Sequence, residues 1–234
     1  MHIFYGLMIP FLGTTLGSAC VFFMKKEFNP LVQKILLGFA SGVMVAASVW
    51  SLIVPAIEQC EKNGMGKFSF MPAALGIVLG IAFLLFLDMV IPHLHMNAKK
   101  PEGPHSKLKK TTMLVLAVTL HNIPEGLAVG CAFGGTMYGL DGATIISAWM
   151  LALGIGIQNF PEGTAVSVPL RREGFSMKRA FFYGQLSGIV EPISGLVGSI
   201  LVLRIRIILP FLLSFAAGAM IYVVEIGRAS CRER

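Results

Sequence analysis

The sequence predicts an all-α fold, a polytopic bundle of transmembrane helices. Three observations predict it. Of 234 residues, 55% are hydrophobic and 13% charged, where a soluble domain carries about 25% charge. The apolar residues gather into seven stretches, each near the roughly 20 residues that cross a ~30 Å hydrocarbon layer. None of the seven contains a lysine or arginine. The ten-residue alternation of a barrel strand is absent, so helices are the structure that satisfies the backbone in lipid.

The first span covers 3–24. It has no basic segment ahead of it and is too long for a signal-peptide core, so it reads as a membrane helix. Asn29-Pro30 marks the turn into the second span, 35–57, which Glu58 ends. Gly64-Met65-Gly66 leads into the third, 68–91. A polar segment, 92–110, precedes the fourth, 111–133, and Gly134-Gly135 follows it. The fifth, sixth and seventh cover 143–170, 180–203 and 207–226. Of the four cysteines, Cys20, Cys60, Cys131 and Cys231, no two form a C-x-x-C pair, which argues against a thiolate zinc site. The 13 methionines read as packing or lipid-facing residues.

The formal net charge is +7, but the lysines and arginines sit in the loops. No basic face interleaved with aromatics exists, so nucleic acid is excluded as a partner and the lipid bilayer is the expected one. Their distribution orients the chain. With the N-terminus outside, 15 of the 19 basic residues fall in the inside segments 25–34, 92–110, 171–179 and the C-terminal tail. The outside loops keep Lys62, Lys67, Arg204 and Arg206.

The spans hold five acids, Asp88, Glu125, Glu162, Glu191 and Glu225, and no base to pair them. A buried carboxylate in a bilayer costs several kcal/mol. Either some are protonated, as in a proton relay, or a cation from outside the chain neutralises them. Their neighbours bear on the choice. The fourth span carries His121-Asn122-Ile123-Pro124-Glu125-Gly126. The fifth carries Gln158-Asn159-Phe160-Pro161-Glu162-Gly163, a match at a fixed offset of 37 residues. His121 and Glu125 share a helix face at a spacing of four, as do Gln158 and Glu162. Glu191 lies at similar depth in the sixth span. Three carboxylates, one imidazole and three amides therefore stand at one level. Pro124 and Pro161 each remove a helix hydrogen bond, which predicts kinks and freed carbonyls. Gly126 and Gly163 permit close helix approach. Oxygen and nitrogen donors without thiolate suit Zn²⁺, Fe²⁺, Mn²⁺ or Cd²⁺ better than Cu⁺. No H-E-x-x-H is present, which disfavours an intramembrane metalloprotease.

The paired blocks at His121–Gly126 and Gln158–Gly163, with Gly188-Ile189-Val190-Glu191-Pro192, resemble the signatures of helices four, five and six of the ZIP (Zrt/Irt-like) transporters, in their prokaryotic form. The resemblance implies transport of divalent metal, foremost zinc, toward the cytoplasm, with the metal as cargo and no enzymatic step. It implies a binuclear site. His121, Glu125, Gln158 and Glu162 would hold the first ion. Asn122, Asn159 and Glu191 would hold the second, with Glu125 and Glu162 bridging. Asn159 stands where other members carry Asp, which makes the second position less anionic. The resemblance also implies an elevator-like slide of spans one, four, five and six against the rest. A homodimer is compatible with it. The expected location is the inner membrane of a bacterial cell.

An internal match supports the inverted repeat that the resemblance implies. Residues 37–44 (LGFASGVM) echo residues 213–220 (LSFAAGAM) at five of eight positions, on spans of opposite direction. That repeat predicts an eighth span after the seventh. Residues 227–234 (GRASCRER) are polar instead, so the reading is one metal-transport domain over 1–226 and a non-native tail over 227–234. At the periphery, Asp88, Glu225, His93 and His95 are secondary metal candidates, with His105 in the same inside loop as the two histidines. The competing readings are a membrane metal sensor that binds without flux, and a proton-relay enzyme or pump subunit that uses the same acids.

Overall fold

The computed structural model describes residues 2–23, 30–91, 110–137, 144–204 and 206–232. Regular structure among them is entirely helical. The first span is α1 (His2–Ala19), which tightens into a 3₁₀ turn at Cys20–Phe22. The second is α2 (Pro30–Ala46), a π-helical segment (Ala47–Ile53) and α3 (Val54–Lys62). Then come α4 (Met71–Val90), α5 (Lys110–Met137) and α6 (Ile145–Arg172). The sixth span is divided into α7 (Met177–Gly188) and α8 (Val190–Arg204), and the seventh is α9 (Leu209–Arg232).

Five stretches are long and apolar enough to cross a membrane: His2–Phe22, Lys34–Lys62, Gly66–Val90, Val115–Met137 and Met177–Val202. The 28-residue α6 has the length but carries a polar midsection, Gln158 to Thr164, and the apolar part of α9, Leu209–Glu225, is shorter. The chain is an all-α, multi-pass membrane bundle.

Prolines affect the helix assignment differently from span to span. α5 and α6 run as unbroken helices through Pro124 and Pro161. One lost hydrogen bond in α5, and two in α6 where Pro169 adds to Pro161, do not interrupt these 28-residue helices. The interruptions come elsewhere. Pro55 cannot donate to the carbonyl of Ser51, and the chain ahead of it widens into the π segment, where Val54 N–H reaches back to Val49. Pro192 likewise cannot donate to Gly188, and the sixth span breaks there, one turn from Glu191. At the C-terminus, α9 continues as helix to Arg232, across most of the polar segment.

Backbone proximity sorts the helices into two groups, since in lipid it is close packing that holds helices together. In the first, α1 lies on α6: a Cβ at Gly13 or Gly17 would fall onto the carbonyls of Gly156 or Phe160. α5 lies on α8 in the same way, Gly130 facing the carbonyl of Gly195. In the second, α4 packs on α9 through Gly76 and Gly80. The groups meet across an apolar seam, in which Met44, Ala47 and Leu52 join Val129, Phe133, Leu151, Ile155, Leu213 and Met220. The two echoing segments are packed differently. Gly218 presses on Ile77 of α4, whereas a Cβ on its counterpart Gly42 would meet no described atom within 4 Å.

Candidate metal centre

The midsections of α5 and α6 and the start of α8 form a buried polar layer. Asn122, Glu125, Gln158 and Asn159 are fully buried and Glu191 is 1% exposed. His121 and Glu162 are partly buried. Glycines set close contacts here, α5 on α8 and α6 on α1. A Cβ on Gly126 would land on the Glu191 carbonyl and the Ser194 hydroxyl, and one on Gly163 would land on the Thr14 carbonyl of α1. Both glycines were legible in the sequence for this role, and both fill it.

The hydrogen bonds have a common direction. Asn122 Nδ2 donates to the Ser187 carbonyl at 3.1 Å, across from α5 to α7. Gln158 Nε2 donates to Glu125 Oε1 at 2.8 Å and to Asn159 Oδ1 at 2.6 Å. Asn159 Nδ2 donates to the Pro10 carbonyl of α1 at 3.4 Å. Thr14 Oγ1 of α1 donates to Glu191 Oε1 at 3.0 Å. Each amide thus spends its nitrogen on a neighbour, and one oxygen each of Glu125 and Glu191 receives a proton donor.

The other oxygens receive nothing. Asn122 Oδ1, Glu125 Oε2, Gln158 Oε1, Glu162 Oε2 and Glu191 Oε2 are buried without a hydrogen-bond partner. The hydroxyls of Thr15, Ser167 and Ser214 share that condition, but a hydroxyl can turn its proton toward a carbonyl of its own helix. A carbonyl or ionised carboxylate oxygen only accepts. Five buried acceptors in one layer, contributed by α5, α6 and α8, carry a desolvation cost that a cation would remove. Glu125, Glu162 and Glu191 also lie near one another. Among the described residues no three His, Cys, Asp or Glu side chains are placed to hold an ion by themselves.

Of the sequence-predicted residues, hydrogen bonds join Glu125, Gln158 and Asn159 directly, and tie Asn122 and Glu191 to the same layer through α7 and α1. The peripheral candidates lie apart from that network. Asp88 is 7% exposed on α4 and accepts a hydrogen bond from Tyr222 Oη of α9 at 2.9 Å. Its burial departs from a polar helix end facing lipid headgroups. Glu225 is exposed on α9. His93, His95 and His105 lie outside the described residues. Sequence reasoning missed Thr14 and the carbonyls of Pro10 and Ser187. The available signal was Gly13 and Gly17 in the first span, a small-xxx-small spacing of the kind that marks a tight helix contact.

Comparison with known proteins bears on the same residues. The family profile described as ZIP Zinc transporter matches residues 2–112 and 105–225. The chain is similar to Zinc transporter ZIP11 of Homo sapiens, at 38% identity over 91% of this chain and 84% of that protein. It is similar to Zinc transporter GufA of Myxococcus xanthus, at 37% identity over 91% of this chain and 82% of that protein. It is also similar to Zinc transporter ZIPB of Bordetella bronchiseptica, at 34% identity over 96% of this chain and 72% of that protein.

Proposed function

The chain belongs to the ZIP zinc transporter family, and from that premise we propose that it carries Zn²⁺ toward the cytoplasm through a binuclear site among α5, α6 and α8. The family is one of divalent-metal transporters rather than enzymes, so the metal here is cargo. The observation that carries the finer reading is the set of five buried acceptor oxygens without donors, on Asn122, Glu125, Gln158, Glu162 and Glu191.

His121, Glu125, Gln158 and Glu162 are assigned to the first position, and Asn122, Asn159 and Glu191 to the second, with Glu125 and Glu162 bridging; since no three of the His and Glu side chains are already placed to hold an ion, binding must draw them together. The Gln158 amide, bonded to both Glu125 and Asn159, couples the two positions. Fe²⁺, Mn²⁺ and Cd²⁺ suit the same donors. The two-group packing supports an elevator. All the ligands ride on α5, α6 and α8, and the bonds that fix them involve α1 and α7, within one group. The seam toward α2 and α9 is apolar, so sliding along it breaks no hydrogen bond named above. The excess of basic residues on one side supports an N-terminus outside. The expected location is a bacterial inner membrane.

The test is uptake of radioactive zinc by proteoliposomes of known protein orientation. Zinc accumulating on the side that bears the 171–179 loop is the expected result. Zinc bound without flux would instead favour a sensor. A second expectation concerns pH. Neutral imidazole and ionised carboxylates are the metal-competent forms, so protons compete with zinc. Zinc affinity is expected to fall as pH drops from about 7 to about 5, the range in which an ordinary imidazole takes up its proton. Titration calorimetry at several pH values checks this, and an affinity flat across that span would remove His121 from the ligand set.

A further inference from the structure

We propose that α1, which supplies no ligand, positions the second metal's ligands, through the Thr14 hydroxyl on Glu191 and the Pro10 carbonyl on Asn159. The inference rests on the binuclear reading and deepens it.

Thr14 is fully buried. Its hydroxyl has one proton and two acceptors in reach, the Pro10 carbonyl at 3.4 Å and Glu191 Oε1 at 3.0 Å. The carboxylate is the nearer and the charged one, so it takes the proton. With Oε1 held, Oε2 is the oxygen left without a partner, and the carboxylate plane is fixed relative to α5 and α6. Pro10 lies one turn earlier on the same helix. Its carbonyl accepts Asn159 Nδ2 at 3.4 Å, which settles which way that amide faces and keeps its oxygen on the side of Gln158 and Glu125. Metal ligands are commonly held in this manner by outer partners that set orientation.

The positions of these two groups are tightly determined. Gly13 and Gly17 flank Thr14, and each presses its helix onto a backbone carbonyl of α6. On the other side, a Cβ at Gly188 would meet Thr14 Cβ at 2.9 Å and its Oγ1 at 3.0 Å. Thr14 is therefore wedged between α6 and the break that begins α8, the two elements that carry Asn159 and Glu191. No larger side chain could take this place without moving one of them.

Zinc titration calorimetry on the purified full chain tests the proposal, with Thr14→Val, Thr14→Ser and Glu191→Ala beside the wild type. Valine keeps the shape of threonine and removes the proton donor. Thr14→Val is expected to weaken the second zinc event by about 10- to 100-fold, the usual effect of losing an outer partner, and to leave the first event and the metal-free melting temperature unchanged. Thr14→Ser is expected to restore the second event. A wild-type second event in Thr14→Val overturns the proposal. So does a serine variant as weak as the valine one, because the effect then comes from the methyl group and packing. Glu191→Ala separates this from the underlying reading: if it too retains two zinc events, the binuclear assignment itself fails.

Discussion

Replacing Glu125 with alanine is expected to reduce zinc binding and uptake to background. Glu125 is fully buried, lies between the two proposed ions, and is the carboxylate to which Gln158 is bonded. Its removal takes one negative charge from both positions and leaves the Gln158 amide without its charged acceptor. Loss of an outer partner costs about 10- to 100-fold in metal affinity, and loss of a shared ligand is expected to exceed that. Glu162→Ala should behave similarly, although Glu162 is partly exposed. The measurement is zinc stoichiometry by titration calorimetry, paired with uptake by proteoliposomes. Two zinc ions bound at unchanged affinity in both variants would refute the bridging roles. Glu225→Ala serves as a contrast, since that side chain is exposed and outside the network.

Gly126→Val is the second large expected effect, and it acts without replacing any proposed ligand side chain. A Cβ at Gly126 falls onto the carbonyl of Glu191, a backbone atom that no rotamer change can move aside. Overpacking of this kind costs about 1–3 kcal/mol when side chains can yield, and here the whole of α8 must shift. Glu191 shifts with it, away from Glu125 one residue before the substitution. The variant is expected to melt several degrees lower and to lose zinc uptake. Gly42→Val supplies the control, because a Cβ there meets no described atom within 4 Å, and it should keep both properties. Uptake at the wild-type rate in Gly126→Val would show that the α5–α8 contact does not hold the site.

These expectations differ in how far the sequence alone supports them. The membrane class, the helical spans and the proposed ligands on α5 and α6 are local matters. A span is a run of apolar residues free of charge, and His121 with Glu125, or Gln158 with Glu162, share a face because a helix turns every 3.6 residues. The 37-residue offset between the blocks is likewise visible along the chain. Glu191 was legible as a buried acid at matching depth, and Gly126 and Gly163 as points of close approach.

What the tertiary structure decided was which backbone stands opposite each of those groups. Thr14 and Glu191 are 177 residues apart in sequence, and Pro10 and Asn159 are 149 apart. No periodicity relates them. Their meeting depends on α1 pairing with α6, which follows from the steric fit of Gly13 and Gly17 against particular carbonyls. The prolines make the same point in reverse. Each removes one hydrogen bond wherever it occurs, yet α5 and α6 absorb Pro124 and Pro161 while the sixth span breaks at Pro192 and the second widens ahead of Pro55. The local chemistry is identical in all four places. The packing of the neighbouring helices determines whether the backbone yields, and that packing is a property of the whole bundle rather than of any one segment.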